Sequence, residues 1–179
     1  MDKKQLRKNI IAYRSGLDKS VIADASERIF SGLSGLTDFF SHSSYFVYKS
    51  FRGEVDTDML ISELLRRGKT VAFPVTAGDS MIAAVPDKDS GYSLDKFGVL
   101  VPDRYEVLHN PEVVITPLVA CDLSKNRIGF GKGYYDRYFS TRDCIKIGVC
   151  YNFQVVDSIT PGPLDVKLDI IVTEKRIIY

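Results

Sequence analysis

A segment rich in glycine, basic and aromatic residues is the part of the sequence best suited to chemistry. It runs from Asn126 to Tyr138 and contains three alternate glycines between Gly129 and Gly133. Glycines let the backbone approach a ligand closely and adopt positive φ, so that backbone N–H groups can face an anion. Arg127 and Lys132 add two full positive charges. We therefore predict a site for a di- or triphosphate, with a helix beginning at its end.

This glycine segment does not follow the well-known phosphate or nucleic-acid patterns. It is not a P-loop, because Lys132 is followed by Gly133 and not by Ser or Thr. It is not the dinucleotide fingerprint, since its third glycine follows the second by two residues. It also fails the RNA-binding RNP1 pattern, which requires Gly or Ala where Tyr135 stands. A glycine-rich surface loop without a ligand is the alternative interpretation.

Carboxylates lie in two further loops at the ends of predicted strands, where open α/β sheets bind ligands. Glu54, in the segment 49–57, can accept hydrogen bonds from the N–H pairs of an amino-heterocycle. Asp165 and Asp169, in the segment 160–169, are candidate Mg²⁺ ligands, since Mg²⁺ prefers one or two carboxylates with phosphate oxygens and water. Loop aspartates are also common turn formers, so this assignment has an ordinary structural alternative.

Composition and charge narrow the class of protein. With 179 residues, 45% hydrophobic and 26% charged, the chain is typical of one globular domain, which we expect to span residues 1–179. A net charge of +1 argues against nucleic acid as a partner. The three cysteines form no C-x-x-C pair, and no run reaches the ~18 apolar residues of a membrane span. We therefore expect a cytoplasmic protein without a signal peptide or a membrane partner.

Periodic apolar residues predict the elements that must hold these loops. The apolar stripe of a first helix runs from Leu6 to Leu17, and the basic residues beside it, as far as Arg14, are interpreted as a solvated face. Residues 87–111 are expected to be mostly loop, and residues 118–132 a long connection. The other predicted elements are helices over 22–33, 58–67 and 133–139, and strands over 45–48, 70–74, 81–85, 113–116, 145–150 and 170–173.

The alternation of strands and helices favours an α/β protein. We predict a single three-layer α/β/α domain with a mostly parallel, Rossmann-like open sheet and helices on both faces. Its ligands are expected beyond the carboxyl ends of the strands, where the three loops lie.

The residues from Arg127 to Arg137 resemble the signature of the 5-formyltetrahydrofolate cyclo-ligases, which reads roughly R-[IL]-G-x-G-x-G-Y-Y-D. The segments 3–7 and 54–57 are similar to further elements of that family, while Leu164 stands where the family often has His. The resemblance implies a three-layer α/β enzyme, a ligase that forms a C–N bond. It implies that ATP and Mg²⁺ close 5-formyltetrahydrofolate to 5,10-methenyltetrahydrofolate, with release of ADP and phosphate, through phosphorylation of the formyl oxygen and attack by N10.

The resemblance also implies the roles of individual residues. The implied ATP-binding residues are Lys3, Lys4, Gln5, Leu6, Arg7, Arg127, Ile128, Gly129, Phe130, Gly131, Lys132, Gly133, Tyr134 and Tyr135. Among these, Lys132 and Arg127 are the implied catalytic residues. The implied folate-binding residues are Lys49 and Glu54, and the implied Mg²⁺ ligands are Asp136 and Asp165.

Rival functions keep the same pocket. A small-molecule kinase would leave a stable phosphorylated product, and a nucleotide or folate sensor would bind both ligands without releasing ADP. An RNA-binding module is a weaker rival, because the net charge is only +1 and the RNP1 pattern fails. No Ser-His-Asp order or zinc-ligand spacing is present, so metal-free nucleophilic catalysis is not predicted. We expect a monomer whose partners are the small molecules ATP and 5-formyltetrahydrofolate.

Overall fold

The computed structural model describes residues 2–179, which form helices around a twisted central sheet. Its α-helices are α1 (Lys3–Ser15), α2 (Lys19–Ser34), α3 (Asp58–Arg66) and α4 (Tyr134–Phe139). Short 3₁₀ helices occupy Phe39–Ser41 and Asn152–Gln154. Its strands are β1 (Ser44–Val47), β2 (Thr70–Ala77), β3 (Ser80–Pro86), β4 (Tyr92–Leu94), β5 (Leu100–Pro102), β6 (Tyr105–Leu108), β7 (Val113–Pro117), β8 (Ala120–Asp122), β9 (Arg127–Ile128), β10 (Ile145–Val149), β11 (Val155–Val156), β12 (Ile170–Val172) and β13 (Ile177–Ile178).

Eight strands form the central sheet in the order β13-β12-β10-β7-β1-β2-β3-β6. The five strands from β12 to β2 run parallel, and β13, β3 and β6 add antiparallel edges. Strand β1 lies near the middle, with Phe46 opposite Val114 on one side and Ala72 on the other. All four residues of β1 are buried, because a parallel sheet is covered on both faces.

Two apolar layers cover the two faces of this sheet. On one face, Ile29 of α2 and Leu64 of α3 pack against β1 and β7. On the other face, Tyr138 and Phe139 of α4 pack against Phe46 and its neighbours. The predicted three-layer α/β fold with a mostly parallel sheet is thereby confirmed.

Helix α1 docks away from the main sheet. Ile10 packs with Val119, Ala120 and Ile128 around a three-stranded sheet of order β11-β8-β9. The long connection expected over 118–132 therefore contains two short strands, β8 and β9, that were not predicted. Two strands of two or three residues are too short to leave a periodic apolar pattern.

Most of the segment 87–111 is loop, as expected, but three short strands within it were not predicted. It contains the β4–β5 hairpin and β6, which joins the edge of the main sheet. All three residues of β4 are exposed, and each strand of the hairpin has only three residues, which is too short to leave a clear strand pattern in the sequence.

The loop between β1 and α3 is fixed by side chains near the helix start. Thr57 occupies the N-cap position of α3, and its hydroxyl donates to the Tyr48 carbonyl at 2.7 Å. The Asp56 carboxylate accepts instead from the Asp58 N–H at 2.8 Å. Both bonds hold the backbone of residues 48–58, which carries Glu54.

No helix within residues 2–179 combines the length and the hydrophobicity needed to cross a membrane. The three cysteines are free thiols, and the sulfurs of Cys121 and Cys150 lie 3.6 Å apart in the core.

Candidate functional site

A cavity of about 640 Å³ opens where β1 and β7 end, beyond the carboxyl edge of the parallel strands. Its wall is built by α1, the loop after β1, the β4–β5 hairpin, and the segment 127–136, with Asp165 at its margin. Parallel strands deliver their following loops to one edge, which explains why residues distant in sequence meet here. The predicted site residues that line it are Lys3, Arg7, Lys49, Glu54, Arg127, Ile128, Gly129, Phe130, Gly131, Lys132, Gly133, Tyr134, Tyr135, Asp136 and Asp165.

The glycine loop uses its glycines for positive φ and for close packing. Gly131 has a φ of +95° and Gly133 a φ of +67°, conformations that other residues rarely adopt. A Cβ on Gly131 would lie 3.5 Å from the guanidinium carbon of Arg7. Arg7 also donates from Nε to the Gly129 carbonyl at 2.7 Å. Helix α1 and the glycine loop therefore form one wall of the cavity.

Lys132 lies in this loop with an exposed side chain. It lines the cavity and makes no ion pair within residues 2–179. By contrast, Lys3 lines the same cavity with its ammonium 3.0 Å from the Asp165 carboxylate. Lys132 is therefore ready to meet an anion without first losing a partner.

Arg127, in contrast, is already occupied by the protein. Its side chain is almost fully buried, with Nη2 donating to Asp136 Oδ1 at 2.7 Å and Nη1 donating to the Val166 carbonyl. Burial lowers the pKa of this guanidinium below its usual range, and the Asp136 carboxylate opposes that shift. Its main effect in this geometry is to fix Asp136 and the segment around Val166 at the cavity edge.

Glu54 is the buried carboxylate of the site. It is 7% exposed, and its Oε2 accepts from the Phe51 N–H at 3.0 Å. Burial raises its pKa from 4.5 to about 7, while the nearby Arg14 and the Phe51 N–H oppose the rise. Because Glu54 lines the cavity, its carboxylate can accept hydrogen bonds from ligand N–H groups there. Lys49 lines the same cavity and pairs with Asp58 at 2.8 Å.

Arg14 is the residue that the sequence interpretation placed wrongly. It was assigned to a solvated face of the first helix, yet it is 1% exposed. Its Nε donates to the Arg52 carbonyl and its Nη1 to the Leu118 carbonyl, each at 3.3 Å. One signal was available: Arg7 and Arg14 are seven residues apart and thus share a helix face.

Three predicted nucleotide-binding residues of α1 do not line the cavity. Lys4 and Gln5 are exposed, and Gln5 donates to Asn9 at 2.7 Å. Leu6 packs against the cluster around Ile10. Their assignment to ATP stays a prediction, and Lys3 and Arg7 are the two members of the group that the fold brings to the cavity.

The β4–β5 hairpin was missed as a part of the site. Its tip brings Lys96 and Phe97 to the cavity, where the Phe97 ring meets Tyr134 edge-on at 6.4 Å between centroids. A charge and an aromatic ring next to each other were visible in the sequence. Nothing in the sequence, however, connected them with the glycine loop.

Two carboxylates at the cavity margin suit a magnesium ion that also binds phosphate oxygens. Asp136 uses Oδ1 for Arg127 and the Val166 N–H, and Asp165 uses Oδ2 for Lys3 and the Gly162 N–H. Within residues 2–179 their other oxygens accept no hydrogen bond, and no cluster of three or more His, Cys, Asp or Glu could hold a metal alone. Such a site fits Mg²⁺, which keeps water and substrate ligands.

Asp169, the other aspartate considered as a metal ligand from the sequence, does not line the cavity. Its Oδ2 accepts from the Lys146 N–H at 2.7 Å and forms an ion pair with the Lys146 ammonium at 3.0 Å. It holds the start of β10 in place, which is the structural role that loop aspartates often have.

Comparison with known proteins identifies relatives along nearly the whole chain. A model of the 5-formyltetrahydrofolate cyclo-ligase family matches residues 1–174. The 5-formyltetrahydrofolate cyclo-ligase of Mycoplasma pneumoniae is 29% identical, covering 98% of this chain and 100% of that protein. That of Escherichia coli is 32% identical, covering 73% of this chain and 78% of that protein. The NMR structure of Aquifex aeolicus 5,10-methenyltetrahydrofolate synthetase superposes with a TM-score of 0.88 at 31% identity, covering 99% of this chain and 92% of that one.

Proposed function

Because this chain belongs to the 5-formyltetrahydrofolate cyclo-ligase family, we propose that it converts 5-formyltetrahydrofolate and ATP into 5,10-methenyltetrahydrofolate, ADP and phosphate with the help of Mg²⁺. One observation carries the proposal. The same cavity is lined by the buried carboxylate Glu54 and by a glycine loop whose Lys132 makes no ion pair within residues 2–179. The first suits a triphosphate and the second suits the N–H groups of a pterin.

The reaction needs activation of a poor electrophile. The formamide oxygen of the substrate attacks the γ-phosphorus of ATP, and ADP leaves with the electron pair of the broken P–O bond. The phosphorylated oxygen is then a good leaving group. N10 attacks the formyl carbon, a proton leaves N10, and phosphate departs with the electrons of the C–O bond. Such phosphoryl transfer is catalysed mainly by positioning and by charge stabilisation.

The nucleotide end of the cavity is proposed to lie along α1 and the glycine loop. Lys132 would bind the transferred phosphate, because its ammonium has no competing partner in the described chain. Arg7, already held against Gly129, would contact the same phosphates from α1. Lys3 would exchange Asp165 for phosphate when the nucleotide enters. Arg127 would act indirectly, because its guanidinium holds the Asp136 carboxylate in place.

Asp136 and Asp165 are the residues proposed to hold Mg²⁺. Bound there, Mg²⁺ would neutralise phosphate charge and help to orient the triphosphate. The two carboxylates keep one unbonded oxygen each and lie at the edge of the phosphate region. The folate end is proposed to lie at Glu54, with Lys49 on the adjacent wall.

The decisive test is a spectroscopic assay with purified protein, MgATP and 5-formyltetrahydrofolate. We expect the near-UV band of the conjugated methenyl product to grow only when ATP and Mg²⁺ are both present. A stable phosphorylated folate without this band would favour the kinase. Binding of both ligands without release of ADP would favour the sensor, and either outcome would contradict the proposed reaction.

Asp165→Asn is expected to raise the Mg²⁺ concentration needed for half-maximal activity by about 10-fold, because one charged ligand of the ion is lost. Asp169→Asn is the matched control. Both aspartates accept one backbone N–H and form an ion pair with one lysine, but only Asp165 lines the cavity. An equal Mg²⁺ requirement in both variants would remove Asp165 from the metal site.

A further inference from the structure

A second charge lies behind the buried carboxylate of the cavity. Arg14, on α1, is 1% exposed and does not line the cavity, whereas Glu54 does. The Arg14 Nη2 atom lies 3.7 Å from Glu54 Oε1. Two opposite charges at this distance and depth interact strongly, because little water screens them.

The Arg14 Nη2 atom is a buried donor without a hydrogen-bond partner within the described chain. Burial of an unpaired charged donor is costly, so such atoms are uncommon in folded proteins. Its separation from Glu54 Oε1 exceeds a hydrogen bond by less than 1 Å. A small shift of the Glu54 side chain, as when a ligand binds, would complete a charge-assisted hydrogen bond.

The rest of the guanidinium is fixed by the surrounding chain. Nε and Nη1 donate to the carbonyls of Arg52 and Leu118, and the guanidinium carbon lies 5.6 Å from the centre of the Phe130 ring. The backbone of the Glu54 loop packs so tightly here that a Cβ on Gly53 would lie 2.6 Å from the Arg14 carbonyl oxygen. Arg14 thus joins the Glu54 loop, the end of β7 and the glycine loop.

We propose that Arg14 is a positioning residue for Glu54, whose guanidinium orients the carboxylate toward the cavity and lets it ionise at a lower pH than burial alone would allow. The inference rests on the proposed function in so far as an ionised Glu54 is what a pterin with N–H donors requires. The effect of Arg14 on Glu54 itself is a property of the ligand-free protein.

Few other groups compete for this control. The charged or titratable groups near Glu54 are Arg14 and the phenols Tyr48, Tyr135 and Tyr151, and Lys49 and Arg52 line the same cavity. Burial raises the pKa of the three phenols above the usual range, that of Tyr151 to about 12. These phenols are neutral near pH 7. Burial raises the pKa of Glu54, and Arg14 is the main group that opposes this rise.

Carbon-13 NMR of the ligand-free protein, with label in the glutamate carboxyl carbon, measures the titration of Glu54 directly. The signal is assigned by its disappearance in Glu54→Gln. In Arg14→Gln we expect the midpoint to rise by at least about one pH unit, since an opposite charge this close shifts a carboxyl by one unit or more. Arg14→Lys retains the charge and should titrate near the wild type.

Arg28→Gln is the control for loss of an arginine, because Arg28 is exposed on α2 and pairs with Asp24. It should leave the Glu54 midpoint unchanged. A wild-type midpoint in a folded Arg14→Gln would overturn the proposal. So would a rise of one unit or more in Arg14→Lys, a result that remains informative even if Arg14→Gln fails to fold.

Activity gives an independent reading. In a profile of kcat/KM against pH, the acidic limb should move to higher pH in Arg14→Gln by the same shift as the NMR midpoint, and Arg14→Lys should restore it. If the wild type cyclises the folate but the Glu54 midpoint in Arg14→Gln equals that of the wild type, the inference about Arg14 is contradicted and the proposed function is supported. If the midpoint moves but the wild type makes no methenyl product, the proposed function falls instead.

Discussion

Replacing Glu54 by glutamine will lower kcat/KM for 5-formyltetrahydrofolate by roughly 100-fold or more, because at least one charge-assisted hydrogen bond to the ligand is lost and an acceptor is replaced by a donor. The measurement is growth of the methenyl band at about pH 8, where the wild-type carboxylate, with a pKa of about 7, is ionised. Saturation with ATP keeps the nucleotide step constant, so the loss should appear in the folate parameters.

The same substitution should not reduce stability at this pH. Folding raises the pKa of Glu54 from 4.5 to about 7, so the protonated form is the one that folding favours. The raised pKa therefore adds roughly 3 kcal/mol to the free energy of unfolding below about pH 4.5. This stabilisation is lost as the pH rises through about 7. Glutamine resembles the protonated form. The free energy of unfolding of Glu54→Gln minus that of the wild type should therefore increase as the pH rises.

Glu63→Gln is the matched control for these two measurements. Glu63 lies on α3 and pairs with Arg66 and Arg67, away from the cavity. Its activity toward the folate should equal that of the wild type. Wild-type kinetics in Glu54→Gln would eliminate the proposed pterin contact, whatever the stability measurements show.

Replacing Lys132 by alanine will lower kcat/KM for ATP by about 10- to 150-fold, the loss expected for one charged hydrogen bond to phosphate. The fold should be unaffected, because the side chain is exposed and makes no ion pair within residues 2–179. Initial rates at varied ATP, together with the thermal unfolding midpoint, separate the two effects.

Lys175→Ala is a suitable control for the removal of one exposed lysine. Lys175 lies in the turn between β12 and β13 and does not line the cavity. This variant should use ATP as the wild type does. Unchanged ATP kinetics in Lys132→Ala would show that the glycine loop binds phosphate through its backbone and other cations alone, contrary to the proposal.

Local sequence patterns were sufficient for the features that depend on neighbouring residues. The apolar runs of β1, β7 and β10 predicted buried parallel strands, and a parallel sheet requires loops that meet at one edge. The alternate glycines predicted a backbone with positive φ, which Gly131 and Gly133 adopt. From these two inferences the position of the cavity followed.

Features that depend on distant contacts could not be predicted in this way. Arg14 resembles any basic residue at the edge of an amphipathic helix until its acceptors, the carbonyls of Arg52 and Leu118, are placed beside it. The two strands of the β4–β5 hairpin have only three residues each, so the contact of Phe97 with Tyr134 is what shows the position of the hairpin at the site. Likewise, Asp165 and Asp169 both appear as loop aspartates in the sequence, and only the fold shows that Asp165 lines the cavity whereas Asp169 does not.

The contacts of α1 have a consequence for the order in which the protein assembles during synthesis. Lys3, Arg7 and Arg14 bind partners that lie 162, 122 and 104 residues further along the chain. At ribosomal rates of about 5–20 residues per second, these partners emerge some seconds after the helix itself. Helix α1 must therefore remain undocked while most of the sheet is being made. Strands β1, β2 and β3 can pair early, but the cavity is completed only when this early helix is bound by segments from the later part of the chain.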